Sequence, residues 1–158
     1  VDHCEEAYGY SFEKMILYAW SQGIGTTWVG GTLDRPLFEK AAATRDNEYM
    51  MIVTPIGYPS KTQSKVDSAL RESVKGDERL PASKLFYEHD FSTPLDNSED
   101  CLDAVRWAPS AANRQPWRIV KDDNDYHFFL EHTKGYSSGV GQWRGSCFGV
   151  LGASFCAW

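Results

Sequence analysis

The most informative stretch of this chain reads Ala108-Pro109-Ser110-Ala111-Ala112-Asn113-Arg114-Gln115-Pro116-Trp117. Its two prolines fix φ near −65° and favour extended backbone in the residues before them, so the stretch separates a helical pattern from a strand pattern. Between them, Ser110, Asn113 and Gln115 carry uncharged groups that both donate and accept hydrogen bonds. Such groups suit the edge of a heteroaromatic ring better than a metal ion or a proton transfer. The residues alone leave an ordinary helix-to-strand turn as the alternative, because Pro, Ser and Asn are typical of turns.

The composition indicates one globular domain, residues 1–158, that binds neither nucleic acid nor a membrane. Of the 158 residues, 42% are hydrophobic and 24% charged, enough for one sizeable core. The net charge of −6 and the lack of a basic cluster argue against phosphate-rich partners. No apolar run approaches the roughly 18–20 residues of a membrane span. Because no Met precedes Val1, we also expect the sequence to start inside a longer chain.

The cysteines and histidines predict neither a metal site nor a catalytic triad. The cysteine spacing contains no CxxC pair and no histidine at zinc-like offsets. We interpret the cysteines as reduced thiols of a cytoplasmic protein, at positions Cys4, Cys101, Cys147 and Cys156.

Helical spacing and capping residues predict two helices in the first third of the chain. Residues 11–22 have Ser11 as an N-cap, apolar residues at helical spacing, and Gly23 as the C-terminal stop. A short helix is predicted from about Pro36, which suits a first helical turn, to about Thr44.

The middle of the chain is less regular. Residues 60–79 are polar with weak helical periodicity, and residues 80–94 read as a loop with one apolar cluster at Leu85, Phe86 and Tyr87. A helix then follows, ending before Pro109. Its expected N-cap is Asn97 or Ser98, with Glu99 and Asp100 near the positive end of its dipole.

Three apolar runs predict strands. Residues 49–54 form a continuous run typical of a strand covered on both faces, followed by turn residues at Pro55, Gly57 and Pro59. Residues 117–120 and 126–130 predict a β-hairpin with a loop of about five residues. Together these patterns predict an α+β fold.

The stretch from Pro109 to Trp117 resembles the signature loop of the FMN-dependent nitroreductase family, Pro-Ser-x-x-Asn-x-Gln-Pro-Trp, at every fixed position. Residues 23–32 and 55–59 are similar to the family's Gly-x-Gly-Thr-x-Trp-x-Gly segment and its Gly-Tyr-Pro turn. The resemblance extends over roughly residues 11–131. It implies a nitroreductase-like fold, a central and mostly antiparallel sheet flanked by helices, which we expect to be incomplete here.

The order of the motifs differs from that of ordinary nitroreductases, because the Gly-rich segment precedes the Pro-Ser loop. Between them, Arg71-Glu72-Ser73-Val74-Lys75 resembles the family's Arg-x-Ser-x-Arg phosphate motif, although a solvated helical charge run is the alternative. This order resembles a branch with two nitroreductase-like halves in one chain. Residues 11–59 then resemble the back of one half, and residues 70–131 the front of the second.

The resemblance implies bound FMN that takes a hydride from NADH or NADPH and passes it to a small-molecule acceptor, a nitroaromatic or a quinone. No catalytic side chain and no metal are expected. The implied partner is a second copy of the chain or a second half within the full-length chain, as a pseudo-dimer. The implied cofactor-binding residues are Arg71, Ser73 and Lys75 for the phosphate, Pro109, Ser110, Asn113 and Gln115 for the ring edge or ribityl chain, and Gly30, Gly31 and Thr32 for close approach of the backbone to the ring.

Two alternatives remain at this stage. The same scaffold can serve a non-catalytic flavin-binding protein, and a fragment can be inactive. The tail at residues 139–158 has neither helical nor alternating periodicity where the family continues with an amphipathic helix. We therefore expect a truncated or altered C-terminus.

Overall fold

A computed structural model describes residues 4–30, 33–96 and 99–131. The chain divides into a smaller unit, residues 16–61, and a larger unit, residues 1–15 with 62–158. The helices are α1 (Cys4–Ser21), α2 (Arg35–Ala41), α3 (Lys65–Ser73) and α4 (Asp100–Trp107), with single 3₁₀ turns at Ala82–Lys84 and Ala111–Asn113. The strands are β1 (Gly25–Thr26), β2 (Ile56–Gly57), β3 (Phe86–Glu88), β4 (Trp117–Asp122) and β5 (Asp125–Leu130).

Helix α1 begins seven residues earlier than the sequence predicts. Ser11 is therefore inside the helix rather than at its N-cap, and its hydroxyl donates to the carbonyl of Ala7 at 2.9 Å. The predicted stop is confirmed: Gly23 has a φ of +74°, and its N–H donates to the carbonyl of Trp20 at 2.9 Å.

The smaller unit contains α2 and a short antiparallel pairing of β1 with β2, in which Gly25 lies opposite Gly57. Gly57 is thus a strand residue rather than a turn residue. Helix α2 is capped by Asp34, whose carboxylate accepts the N–H of Leu37 at 3.3 Å. It ends at Ala41, slightly before the predicted end.

The strand predicted for residues 49–54 is wrong. Only Val53 pairs, in an isolated bridge with Val29. The carbonyls of Met50 and Met51 accept hydrogen bonds from Arg35, at 2.8 and 3.4 Å, instead of joining a ladder. The apolar residues 49–54 therefore lie on an irregular segment rather than on a strand.

The larger unit is built on a three-stranded sheet in the order β3-β4-β5. Strand β3 is parallel to β4, with Phe86 opposite Ile119, and β5 is antiparallel to β4. The predicted hairpin is confirmed, but its loop is two residues rather than five, because pairing continues to Asp122 opposite Asp125. Asp123 takes the left-handed conformation in this turn, at φ 53°.

The predicted loop over residues 80–94 contains β3 and part of the core. The fully buried large side chains of the described residues are Leu85, Phe86, Leu102, Val105, Trp117 and Ile119. They come from the sheet, from the residue before it and from α4. Because α4 and β4 are both anchored by buried side chains, the two ends of the 108–117 loop between them are fixed in position.

The larger unit also contains the helices α3 and α4. Residues 65–73 form α3, capped by the Ser64 hydroxyl, where the sequence shows only weak periodicity. Helix α4 is confirmed, with Glu99 at the N-cap position. The expected caps Asn97 and Ser98 lie outside the described residues, as does the tail at 139–158.

The α+β class is confirmed. Of the three strand pairings in the described part of the chain, two are antiparallel. None of the described helices is both long and apolar enough to cross a lipid bilayer.

Candidate functional site

A pocket of about 390 Å³ in the larger unit lies where the chain leaving α3 meets the 108–117 loop. Both the phosphate-like motif and the Pro-Ser loop contribute to its walls, although they are well separated in sequence. The lining residues are Ser73, Val74, Lys75, Glu78, Arg79, Leu80, Ala112, Asn113, Arg114 and Gln115.

The backbone around this pocket is unusual. Four of the seven non-glycine residues with positive φ in the described chain line it, at values of 48–52°. They are Lys75, Ala112, Asn113 and Gln115. A left-handed conformation costs a non-glycine residue on the order of 1–3 kcal/mol, and it persists only where the surroundings impose it. Such conformations cluster at ligand sites.

Asn113 joins the two walls of the pocket. Its side-chain N–H₂ donates to the carbonyls of Lys75, at 2.6 Å, and of Glu78, at 3.0 Å. Its side-chain oxygen accepts a hydrogen bond from Arg79 at 3.3 Å. The amide therefore bonds to the protein itself.

Gln115 has a similar position and is almost fully buried. Its side-chain oxygen accepts the N–H of Leu80 at 2.9 Å, and its side-chain nitrogen donates to the carbonyl of Asn113 at 3.2 Å. Its backbone N–H donates to the Ser110 hydroxyl at 2.9 Å. The polar groups that the sequence singles out thus brace the loop against residues 75–80.

The phosphate-like motif divides between the pocket and the surface beside it. Ser73 and Lys75 line the pocket, whereas the described lining does not include Arg71, which forms an ion pair with Asp77. Lys75 pairs with Glu78 at 3.3 Å. Both pairs are largely exposed, so each contributes at most about 1 kcal/mol and can exchange for a ligand anion.

Arg79 belongs to no motif, and the sequence analysis missed it. One terminal nitrogen donates to the carbonyls of Gly76 and Glu78, both at 2.9 Å, and the other donates to the carbonyl of Trp107 at 3.3 Å. Burial lowers the pKa of this guanidinium from its ordinary value, while Asp77 opposes the shift. An arginine preceded by two acidic residues and followed by Leu-Pro gives no sequence signal for this role.

The pocket is locally positive in an acidic chain. Lys75, Arg79 and Arg114 contribute three cations to its lining, against the single carboxylate of Glu78. Since the whole sequence has a net charge of −6, this concentration of cations favours an anionic ligand.

The remaining predicted residues are not brought to this pocket's lining. The Ser110 hydroxyl accepts the backbone N–H of Gln115, and Pro109 is exposed. Gly30 belongs to the smaller unit, where a Cβ would lie 3.5 Å from the Ile52 side chain, an ordinary contact. Gly31 and Thr32 lie outside the described residues.

Other candidate chemistry is limited. Within residues 4–30, 33–96 and 99–131, no grouping of His, Cys, Asp and Glu is suited to a metal ion. Cys101 is a free thiol.

The arrangement of helices and small mixed sheets is of the nitroreductase-like class of α+β folds. A crystal structure described as a "putative nitroreductase" from Thermotoga maritima has the same fold, with a TM-score of 0.58 and 19% sequence identity. The similarity covers 96% of this chain and 52% of that one, so this chain spans about half the length of that protein. Residues 2–141 match the sequence model of the family described as "Putative TM nitroreductase". The chain belongs to this nitroreductase family. No curated protein matches it.

Proposed function

We propose that this chain forms part of an FMN-dependent oxidoreductase that transfers a hydride from NADH or NADPH to a nitroaromatic or quinone acceptor. The observation that carries the proposal is the positive pocket at which the phosphate-like motif meets the Pro-Ser loop. Membership of the nitroreductase family supports the same conclusion.

The residues of the pocket fit the phosphate end of FMN. Lys75, Arg79 and Arg114 supply positive charge. The Ser73 hydroxyl becomes a further donor once a phosphate replaces the Leu70 carbonyl, its partner at 2.7 Å. Charge-assisted hydrogen bonds of this kind suit a phosphate monoester. Arg71 is close in sequence and becomes available when a phosphate replaces Asp77 as its partner.

Asn113 and Gln115 have a supporting part in this proposal. Their hydrogen bonds to residues 75–80 hold the 108–117 loop, leaving its backbone groups to contact the ring edge or ribityl chain. When bound, FMN supplies the redox chemistry, and the protein supplies binding and orientation. No side-chain acid or base is required.

We also propose that the chain represents parts of two nitroreductase-like halves. The order of the motifs supports this view, and the division of the chain after residue 61 falls between the two stretches, although residues 11–15 belong to the larger unit. The match to about half of a longer protein also supports this view. Gly30, Gly31 and Thr32 would then serve the ring of a flavin through backbone N–H groups. A second half or a second copy would complete the site in a cytoplasmic enzyme.

Titration with FMN and riboflavin, followed by flavin fluorescence, tests the phosphate site. We expect Lys75→Ala to weaken FMN binding by about tenfold, the loss typical of one charge-assisted contact, and to leave riboflavin binding unchanged. Lys84→Ala is the matched control, since Lys84 is exposed and does not line the pocket. Equal FMN affinity in both variants would place the phosphate elsewhere.

A further inference from the structure

Arg79 contacts both walls of the pocket, although neither motif includes it. It bonds to the carbonyls of Gly76 and Glu78 on one wall and to the Asn113 side chain on the other. Its third connection, to the carbonyl of Trp107, reaches the last residue of α4. One planar guanidinium thus joins three separate parts of the larger unit.

The setting of Arg79 is more constrained than that of a surface arginine. Its guanidinium carbon lies 5.3 Å from the centre of the Trp107 ring, and its Nε is buried without a hydrogen-bond partner. Arg106 lies over the same ring at 5.4 Å, so two like charges are close to one aromatic side chain. The unpaired Nε and the neighbouring like charge are both unfavourable. The hydrogen bonds made by the two terminal nitrogens must therefore offset them.

The Arg79 contacts coincide with strained backbone. Asn113, which accepts one of its hydrogen bonds, has a φ of 52°, and Lys75 has the same value just before Gly76. Since each left-handed residue prefers to relax, a link between the two walls is needed to keep the pocket in shape.

We propose that Arg79 is a positioning residue that locks residues 75–80 and the 108–117 loop together, so that the pocket is preformed for its cofactor. The cofactor part of this inference rests on the proposed function. The structural part does not, because the lock acts in the free protein.

Hydrogen exchange of three amides tests the lock without any ligand. The N–H of Leu80 bonds to the Gln115 side chain, that of Gln115 to Ser110, and that of Ile119 to the carbonyl of Leu85 in the sheet. In Arg79→Met, we expect Leu80 and Gln115 to exchange about tenfold faster, while Ile119 is unchanged.

Arg106→Met is the matched control, because it removes the other cation over Trp107, and its side chain bonds to Asp103 rather than to either pocket wall. Arg79→Lys keeps the charge, but one ammonium cannot reproduce the planar fork, so it should give the same selective change. Restored protection in Arg79→Lys would overturn the proposal. So would equal exchange in every variant, or uniform acceleration of all three amides in both Arg79 variants.

Flavin affinity supplies the second readout. A positioning role predicts that Arg79→Met weakens riboflavin binding as well as FMN binding, since the whole pocket loosens. Loss of FMN affinity alone would show direct phosphate contact and overturn the positioning role. If the unaltered protein binds neither flavin, the proposed function fails, and the exchange data still decide whether the lock exists.

Discussion

Asn113 combines an unfavourable backbone conformation with three side-chain hydrogen bonds, and the two features can be separated by mutation. Its φ of 52° suits glycine, whereas the amide group ties it to Lys75, Glu78 and Arg79. The three hydrogen bonds thus hold Asn113 in a backbone conformation that is unfavourable by itself.

We predict that Asn113→Ala lowers the free energy of unfolding by about 2 kcal/mol, through lost hydrogen bonds and because alanine tolerates the left-handed conformation less well than asparagine. Asn113→Gly loses the same hydrogen bonds without the strain. It should therefore be about 1 kcal/mol more stable than the alanine variant. Urea denaturation measures both values. Equal stability of the two variants would mean that the left-handed conformation is not imposed by the fold.

At the same scale, sequence reasoning found the polar residues of the Pro-Ser loop but not what they bond to. A motif identifies residue types, whereas the partners of Asn113 and Gln115 are carbonyl and N–H groups with no sequence signature. Arg79 was missed for the same reason. Trp117, the last residue of the 108–117 loop, is fully buried.

At the scale of elements, the start of α4 is fastened to the hairpin through Glu99. Its carboxylate accepts hydrogen bonds from Lys121 of β4 and Tyr126 of β5, which face each other in the ladder. These bonds, that of Lys121 first, hold the pKa of the Glu99 carboxyl below its ordinary value. The same carboxylate raises the pKa of the Tyr126 hydroxyl.

This arrangement predicts a contribution to acid sensitivity. Because the pKa of Glu99 is lower in the folded state, its stabilisation is present above the unfolded value of 4.5 and is lost as the pH falls through the folded value. Glu99→Gln should therefore lose melting temperature at pH 7 and lose progressively less below pH 4.5. Glu72→Gln, at an exposed position of α3, serves as the control. An effect of Glu99→Gln that is independent of pH would contradict the assignment.

The elements that were predicted correctly are those with local signals. The hairpin follows from alternating strands and polar turn residues, and α4 from its apolar spacing and the proline after it. Strand β3 has three residues and pairs in parallel with a strand far along the chain, so no local pattern marks it. Residues 49–54 have the composition of a strand, but Arg35 takes the carbonyls that a ladder would need.

At the scale of the whole molecule, the proposed site is assembled from separate stretches of the chain. The phosphate-like motif and the Pro-Ser loop meet in the larger unit, whereas Gly30 belongs to the smaller one. The chain covers about half of the Thermotoga maritima protein that shares its fold. The proposal of two halves rests on the order of the motifs, which can be read directly from the sequence, whereas the contacts between the motifs cannot.

The most direct test of the central claim is the absorbance spectrum of the purified chain after addition of FMN and removal of free flavin by desalting. We expect retained flavin peaks that NADH bleaches and a nitroaromatic compound restores. Peaks that are retained but not bleached would indicate flavin binding without catalysis. A colourless protein that cannot be reconstituted would contradict the proposal that this pocket holds FMN.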